Sequence, residues 1–249
     1  GQSHAINKGW EQATGELIAY LNSDDTCLPG AFAVAASAWV THQDAVMVTG
    51  GVVAVDEHSQ ATGAQPSTPR LPWRAPLDLT VIDHELWFLP QQSSFFSARA
   101  LDGVGRWLRE ELDYTMDREL VYRLCRAGPV VLVPEVLATY RFHPESKSIR
   151  QVLEMYRENP RALQYCNWGG RADRLRRRLV GAWRVAQGHY KYACASGSSL
   201  RAVVHLLWAA ALRPGYLSRR RFYVAGLKAA GVDEPVRRVA KVVGMLRDS

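Results

Sequence analysis

GQSHAINKGWEQATGELIAYLNSDDTCLPGAF, residues 1–32, holds a helix, a strand, an acidic turn and the start of a second helix in one run. Ser3 to Ala13 has a helical pattern, and Gly15 supplies the stop signal. Glu16 to Leu21 is a short apolar strand that gives way to the polar run Asn22 to Thr26. Pro29 then opens a helix through about Thr41. In open α/β sheets, ligands bind at the carboxyl ends of strands, which is where Asn22-Ser23-Asp24-Asp25 stands. Two carboxylates and an amide oxygen are hard donors of the kind that Mg²⁺ or Mn²⁺ takes, with phosphates and water completing the shell. As a bare tetrapeptide, such a run is more often a turn or a helix cap, with Asp25 or Ser23 as the capping residue.

Downstream, strand and helix patterns keep alternating. Ala45 to Val55 is Val-rich and reads as strand. Residues 56–76 contain four prolines and read as a loop. Gln92 to Ser97 reads as strand, and Leu112, Met116, Leu120 and Leu124 mark a helix over Leu112 to Arg126. Gly128-Pro129 ends it, and two strands follow, Val130 to Val133 and Val136 to Arg141. This alternation predicts an α/β domain, a mixed sheet with flanking helices. After about Ser148 the patterns are helical with Arg-rich faces: Arg171 to Arg184, Leu200 to Leu212 and Ser218 to Ala230. The expected division is an α/β domain over 1–148 and an all-helical region over 149–249.

With 249 residues, 47% of them hydrophobic, the chain can bury one good-sized core and carry a helical appendage. Cys27, Cys125, Cys166 and Cys194 form no CxxC pair, which argues against a zinc site or a disulfide framework and suits a reducing compartment. No apolar run reaches the roughly 18–20 residues of a membrane span. The chain opens inside a helix, so the natural N-terminus is expected further upstream. The formal net charge of +7 is concentrated in the second half, which suggests an anionic partner or a solvated helical face.

Three further clusters bear on chemistry. Glu110, Glu111, Asp113 and Asp117 surround a predicted helix start. Four residues apart, Asp113 and Asp117 would share a face, and Asp113 reads as an N-cap. Asp117 differs because Met116 and Leu120 beside it should enter the core, leaving an acid at the edge of a cleft. The segment Arg141-Phe142-His143-Pro144-Glu145-Ser146-Lys147-Ser148 follows the last strand, and Gln91-Gln92-Ser93-Ser94-Phe95-Phe96 leads into an earlier one. The latter reads equally as the lining of a pocket or as a strand start with polar caps.

In order, Ala5-Ile6-Asn7-Lys8-Gly9, Ala13-Thr14-Gly15-Glu16, Ile18 to Leu21, Asn22 to Asp25 and Pro29-Gly30-Ala31 closely resemble the family 2 glycosyltransferases. These share the A-x-N-x-G helix, A-T-G-E, apolar strand, D-x-D-type motif and P-G-A helix start. Leu112 to Leu120 and the H-x-x-S-K-S segment at 143–148 resemble later motifs of the family. The resemblance implies a GT-A-like (Rossmann-like) fold. It lacks the first βαβ portion that family members carry ahead of A-x-N-x-G. It also departs from the pattern at Asn22, where the D-x-D motif has an acid, and at His4, where an acid is expected.

What the resemblance implies is an inverting, metal-dependent transferase. It would move a sugar from a nucleoside-diphosphate donor, a UDP-sugar first among them, to a hydroxyl of a glycan or lipid-linked acceptor in cell-surface polysaccharide synthesis. Asp117 would be the catalytic base. Asp24, with Asp25 and His143, would hold the Mn²⁺ or Mg²⁺. Asn7, Lys8, Gly9, Asn22 and Lys147 would lie at the donor. The alternative is a non-catalytic binding or scaffold module that kept the fold, which Asn22 favours. The basic tail reads as a helical bundle with a solvated face, or as a peripheral attachment to the inner face of the membrane in a cytoplasmic protein. Nucleic-acid binding is disfavoured, because no binding motif accompanies the arginines.

Overall fold

The computed structural model describes residues 1–62, 74–75, 90–141, 151–165, 171–195, 200–214 and 225. The chain divides into two compact units, Gly1–Arg150 and Gln151–Ser249. The first comprises α1 (Gln2–Gln12), β1 (Leu17–Ile18), β2 (Thr26–Cys27), α2 (Ala31–Thr41), β3 (Met47–Val55), β4 (Arg74–Ala75), β5 (Ser94–Ser97), α3 (Ala98–Val104), α4 (Met116–Ala127) and β6 (Val130–Arg141). A six-stranded mixed sheet runs in the order β1-β5-β3-β6-β2, with β4 also on β6. β3 and β6 are parallel, and the other pairings are antiparallel.

Period-2 alternation explains how the sheet holds helices on both faces. Phe95 packs edge-on against Phe32 of α2, and its neighbour Phe96 packs edge-on against Trp10 of α1. Around Phe95, residues Ala31, Ala35, Val48, Val131 and Leu137 close one core layer. Full burial of a ring such as Phe96 is worth roughly 1.5–3 kcal/mol, so these two rings fix the strand's register.

Three sequence expectations need correction, the first being that residues 56–76, expected as a loop, contain the short strand β4, which pairs with β6. The strands expected at Val130 to Val133 and Val136 to Arg141 are one strand, β6. Pro134 and Glu135, exposed in its middle, lie opposite a register shift in β3 around Gly51. The shift absorbs the N–H that proline lacks, so the strand bulges instead of ending. Gly50 makes this possible, since a Cβ there would sit 2.6 Å from the Glu135 carbonyl oxygen.

The helix expected from Leu112 starts only at Met116, with Thr115 as its N-cap. Asp113 therefore lies outside the helix and neither caps it nor shares a helical face with Asp117. Leu112 is buried, but from the preceding loop. That loop is drawn across α4 by buried ion pairs, in which Arg109 Nε and Arg123 Nε lie 3.1 and 2.9 Å from the fully buried Glu119 carboxylate. Arg123 also donates to the carbonyls of Val104, Gly105 and Trp107.

The second unit comprises α5 (Val152–Tyr165), α6 (Arg171–Ala195) and α7 (Leu200–Leu212). α5 and α6 approach closely because Gly188 has no side chain, and a Cβ there would fall 2.3 Å from that of Tyr156. The helix expected at Ser218 to Ala230 lies, apart from Ala225, outside the described residues. Among the described residues, no helix is long and apolar enough to cross a membrane.

Between α6 and α7, His189 and His205 face each other with their Nδ1 atoms 2.6 Å apart, one N–H donating to the other ring. Tyr192 and Trp208 pack on the pair, and Arg157 and Glu154 of α5 face it. Burial, His205 and Arg157 together push His189 from 6.5 down to about 4. The unfolded chain takes up this proton first. Stability from the neutral pair is therefore full above about pH 6.5 and is lost as pH falls towards 4. Urea unfolding followed by helical circular dichroism should show that fall between pH 7 and 5. His189→Gln should flatten it, and an equal fall in the variant would show that the pair is not its source.

Candidate active site

The acidic run follows β1 and is built as a braced turn. Asp25 N–H donates to the Asn22 carbonyl at 3.2 Å, closing the turn. The Asn22 amide is engaged on every side: Gln2 Nε2 donates to its oxygen at 2.8 Å, and its nitrogen donates to Asp25 Oδ2 and Gln91 Oε1, both at 3.2 Å. Gln91 Nε2 donates to the Tyr20 carbonyl, so the 3₁₀ turn at Gln91–Ser93, an adjacent segment of the same chain, supports the acidic turn.

Asp25 is buried, and Arg141 N–H donates to its Oδ1 at 2.9 Å. Burial pushes its carboxyl up, hydrogen bonds from Arg141, Gln92 and Asn22 draw it back part of the way, and Asp24 adds to the rise. Asp24 is half-buried, and its carbonyl oxygen accepts from Arg141 Nε at 2.8 Å. The rest of that guanidinium reaches the Asp56 and Glu57 carbonyls and Ser59 Oγ, riveting the acidic turn to the turn after β3.

Asp117 occupies the first turn of α4 and is half-buried. Its Oδ1 accepts from the Arg118 N–H at 2.8 Å. Burial and the nearby Asp117 carboxylate push the Tyr20 phenol well above its ordinary range. Tyr20 stands two residues before Asn22, and the effect of the Asp117 carboxylate on its phenol is what links Asp117 to this segment.

On α1, Asn7 clamps the 108 loop: its Nδ2 donates to the Leu108 carbonyl at 2.9 Å and its Oδ1 accepts from the Leu108 N–H at 2.7 Å. His4 pairs with Glu110 at 3.1 Å, a use for the histidine that stands where an acid was expected. Lys8 and Gly9 are exposed on the same helix. His143 and Lys147 lie outside the described residues. Among the described residues, no group of three or more His, Cys, Asp or Glu side chains could hold a metal ion.

Sequence reading missed Arg141, Gln2 and Glu119 as contributors. Arg141 had one available signal, a long cation at the end of the last strand. The others show nothing locally, because their partners are distant in the chain.

Residues 1–105 match the family model described as glycosyl transferase family 2. The match covers 105 of the chain's 249 residues. The matched region holds α1, the acidic turn and the glutamine brace. The fold, a GT-A-like mixed sheet with flanking helices, also recurs in solved structures. S. aureus TarS residues 1–349 superimposes with a TM-score of 0.54 at 15% identity, over 96% of this chain and 71% of that one. The same TarS segment in complex with UDP gives 0.52 at 14% identity, with the same coverage. No curated protein matches the chain.

Proposed function

We propose that the chain is an inverting, metal-dependent glycosyltransferase that moves a sugar from a nucleoside-diphosphate donor to a hydroxyl of a glycan or lipid-linked acceptor, in cell-surface polysaccharide synthesis. The observation that carries this reading is the match of residues 1–105, which hold the acidic turn, to the glycosyl transferase family 2 model, and the effect of the Asp117 carboxylate on the Tyr20 phenol supports it. In it, Asp117 is the proton acceptor and the acidic turn serves the diphosphate side. The likeness to a TarS structure in complex with UDP supports a UDP-sugar as donor.

In this reading, Asp117 takes the proton of the acceptor hydroxyl as its oxygen attacks the anomeric carbon. The bond from that carbon to the diphosphate oxygen breaks, and the nucleoside diphosphate leaves. The braced turn would offer Asp24 to a divalent cation, because Arg141 fixes its backbone and the hydrogen bonds of Asn22 and Asp25 hold the turn in shape. One carboxylate with donor phosphates and water suits Mg²⁺ or Mn²⁺. Such an ion would neutralise charge gathering on the departing diphosphate. Asp25 would shape this site more than ligate in it, and His143 and Lys147 remain proposed for the metal and the diphosphate. Lys8 and Gly9 are proposed to face the nucleotide, with Asn7 holding the 108 loop beside them.

The engaged Asn22 amide favours a second reading, a binding or scaffold module without turnover. The two readings separate in a transfer assay over a panel of sugar nucleotides with Mn²⁺. Turnover that chelation abolishes, and that Asp24→Ala lowers about 10²–10³-fold, is expected. Absence of turnover with every donor, despite a folded chain, would leave the module reading.

A further inference from the structure

α7 is apolar around nearly its whole circumference. Ala202, Leu206 and Ala209 form its buried arc. The opposite arc carries Leu200, Val204, Leu207 and Trp208, which are 80%, 43%, 66% and 55% exposed. Their 4-7-8 spacing puts them on one stripe. A surface helix of a soluble bundle places charges there, but α7 has one arginine, Arg201, at the margin of the stripe beside Trp208. On α6, the exposed leucines Leu175 and Leu179 stand among exposed Arg174 and Arg178.

Charge points to what covers the stripe. Residues 151–249 hold 19 of the 31 Lys and Arg but only 6 of the 24 Asp and Glu, a net +13 against −6 for residues 1–150. Two copies of so basic a unit repel each other, whereas an anionic leaflet attracts it. At 13 residues, α7 is about 20 Å long, too short to span a bilayer but suited to lying in its surface. We propose that the exposed face of α7 docks on an anionic lipid surface, with Leu200, Val204, Leu207 and Trp208 entering the headgroup boundary and the basic side chains meeting the lipid charge. The inference holds whether or not the chain transfers sugar, and its test reads binding alone.

The experiment is flotation of the full chain with phosphatidylcholine vesicles, with and without roughly one third phosphatidylglycerol. Binding to the anionic vesicles alone is expected, weakened on raising salt to about 0.5 M. The double variant Leu200→Glu/Leu207→Glu, altering two exposed positions, should keep its helical circular dichroism and lose at least about tenfold in vesicle partitioning. Equal flotation of variant and parent would overturn the proposal, as would no flotation of the parent. A parent that sediments as an oligomer, ignores vesicles and becomes monomeric in the double variant would assign the stripe to self-association instead.

Discussion

Asp117→Asn is expected to lower kcat by about 10²–10⁴-fold while leaving UDP affinity and thermal stability close to those of the parent. The amide has nearly the shape of the carboxylate, and its oxygen can still accept from the Arg118 N–H as Asp117 Oδ1 does at 2.8 Å. What it loses is the capacity to take a proton. The acceptor hydroxyl must then attack while still holding its hydrogen, and the barrier rises by the free energy that a positioned base had removed. The substitution also removes the negative charge that helps hold the Tyr20 phenol up, so Tyr20 should titrate at lower pH in the variant. That shift reports the placement of Asp117 independently of turnover. Unchanged transfer with a shifted Tyr20 would place Asp117 at the site and deny it the role of base. Unchanged transfer with an unshifted Tyr20 would deny both.

The largest loss of stability is expected at Glu119. Its carboxylate is fully buried between Arg109 and Arg123. Glu119→Ala strands two guanidinium groups without their counter-charge, and breaking a buried pair in this way costs about 3–5 kcal/mol. For a chain of this length that corresponds to a fall in Tm of roughly 10 °C. The damage should spread beyond α4, because Arg123 also holds the carbonyls of Val104, Gly105 and Trp107. That loop carries Leu108 and Glu110, the partners of Asn7 and His4 on α1. Hydrogen exchange should therefore show faster opening over 104–112 and at the Asn7 turn of α1. A loss below about 1 kcal/mol in urea unfolding would mean that the arginines find other partners and that the network does not hold the loop.

Much of the layered architecture was legible because it rests on local periodicity. The Leu112-Met116-Leu120-Leu124 spacing marked the helix, though not its first turn. Periodicity reports which side chains face the core, and Leu112 does so from a loop. Val130 to Arg141 was read as two strands because Pro134 breaks local pairing. The compensation lies about 85 residues earlier in the chain, at the Gly50–Gly51 shift of β3. Glu119, in the first turn of α4, is the charged centre of a buried network of which its neighbours in sequence give no sign.

The sequence by itself determined the α/β order, the place of Asn22 to Asp25 in the segment after a short strand and the resemblance of residues 1–105 to the family 2 glycosyltransferases. These depend on neighbours within a few residues, or on short strings in fixed order. Only the tertiary structure decided which partners the side chains of Asn22 and Asp25 take. Asn22 and Asp25 are drawn into hydrogen bonds with Gln2, Gln91 and Arg141, which are 20, 69 and 116 residues away from them. The physical reason is that a buried polar group must find a donor or acceptor wherever the fold brings one. Chain order carries no local sign of which residue that will be.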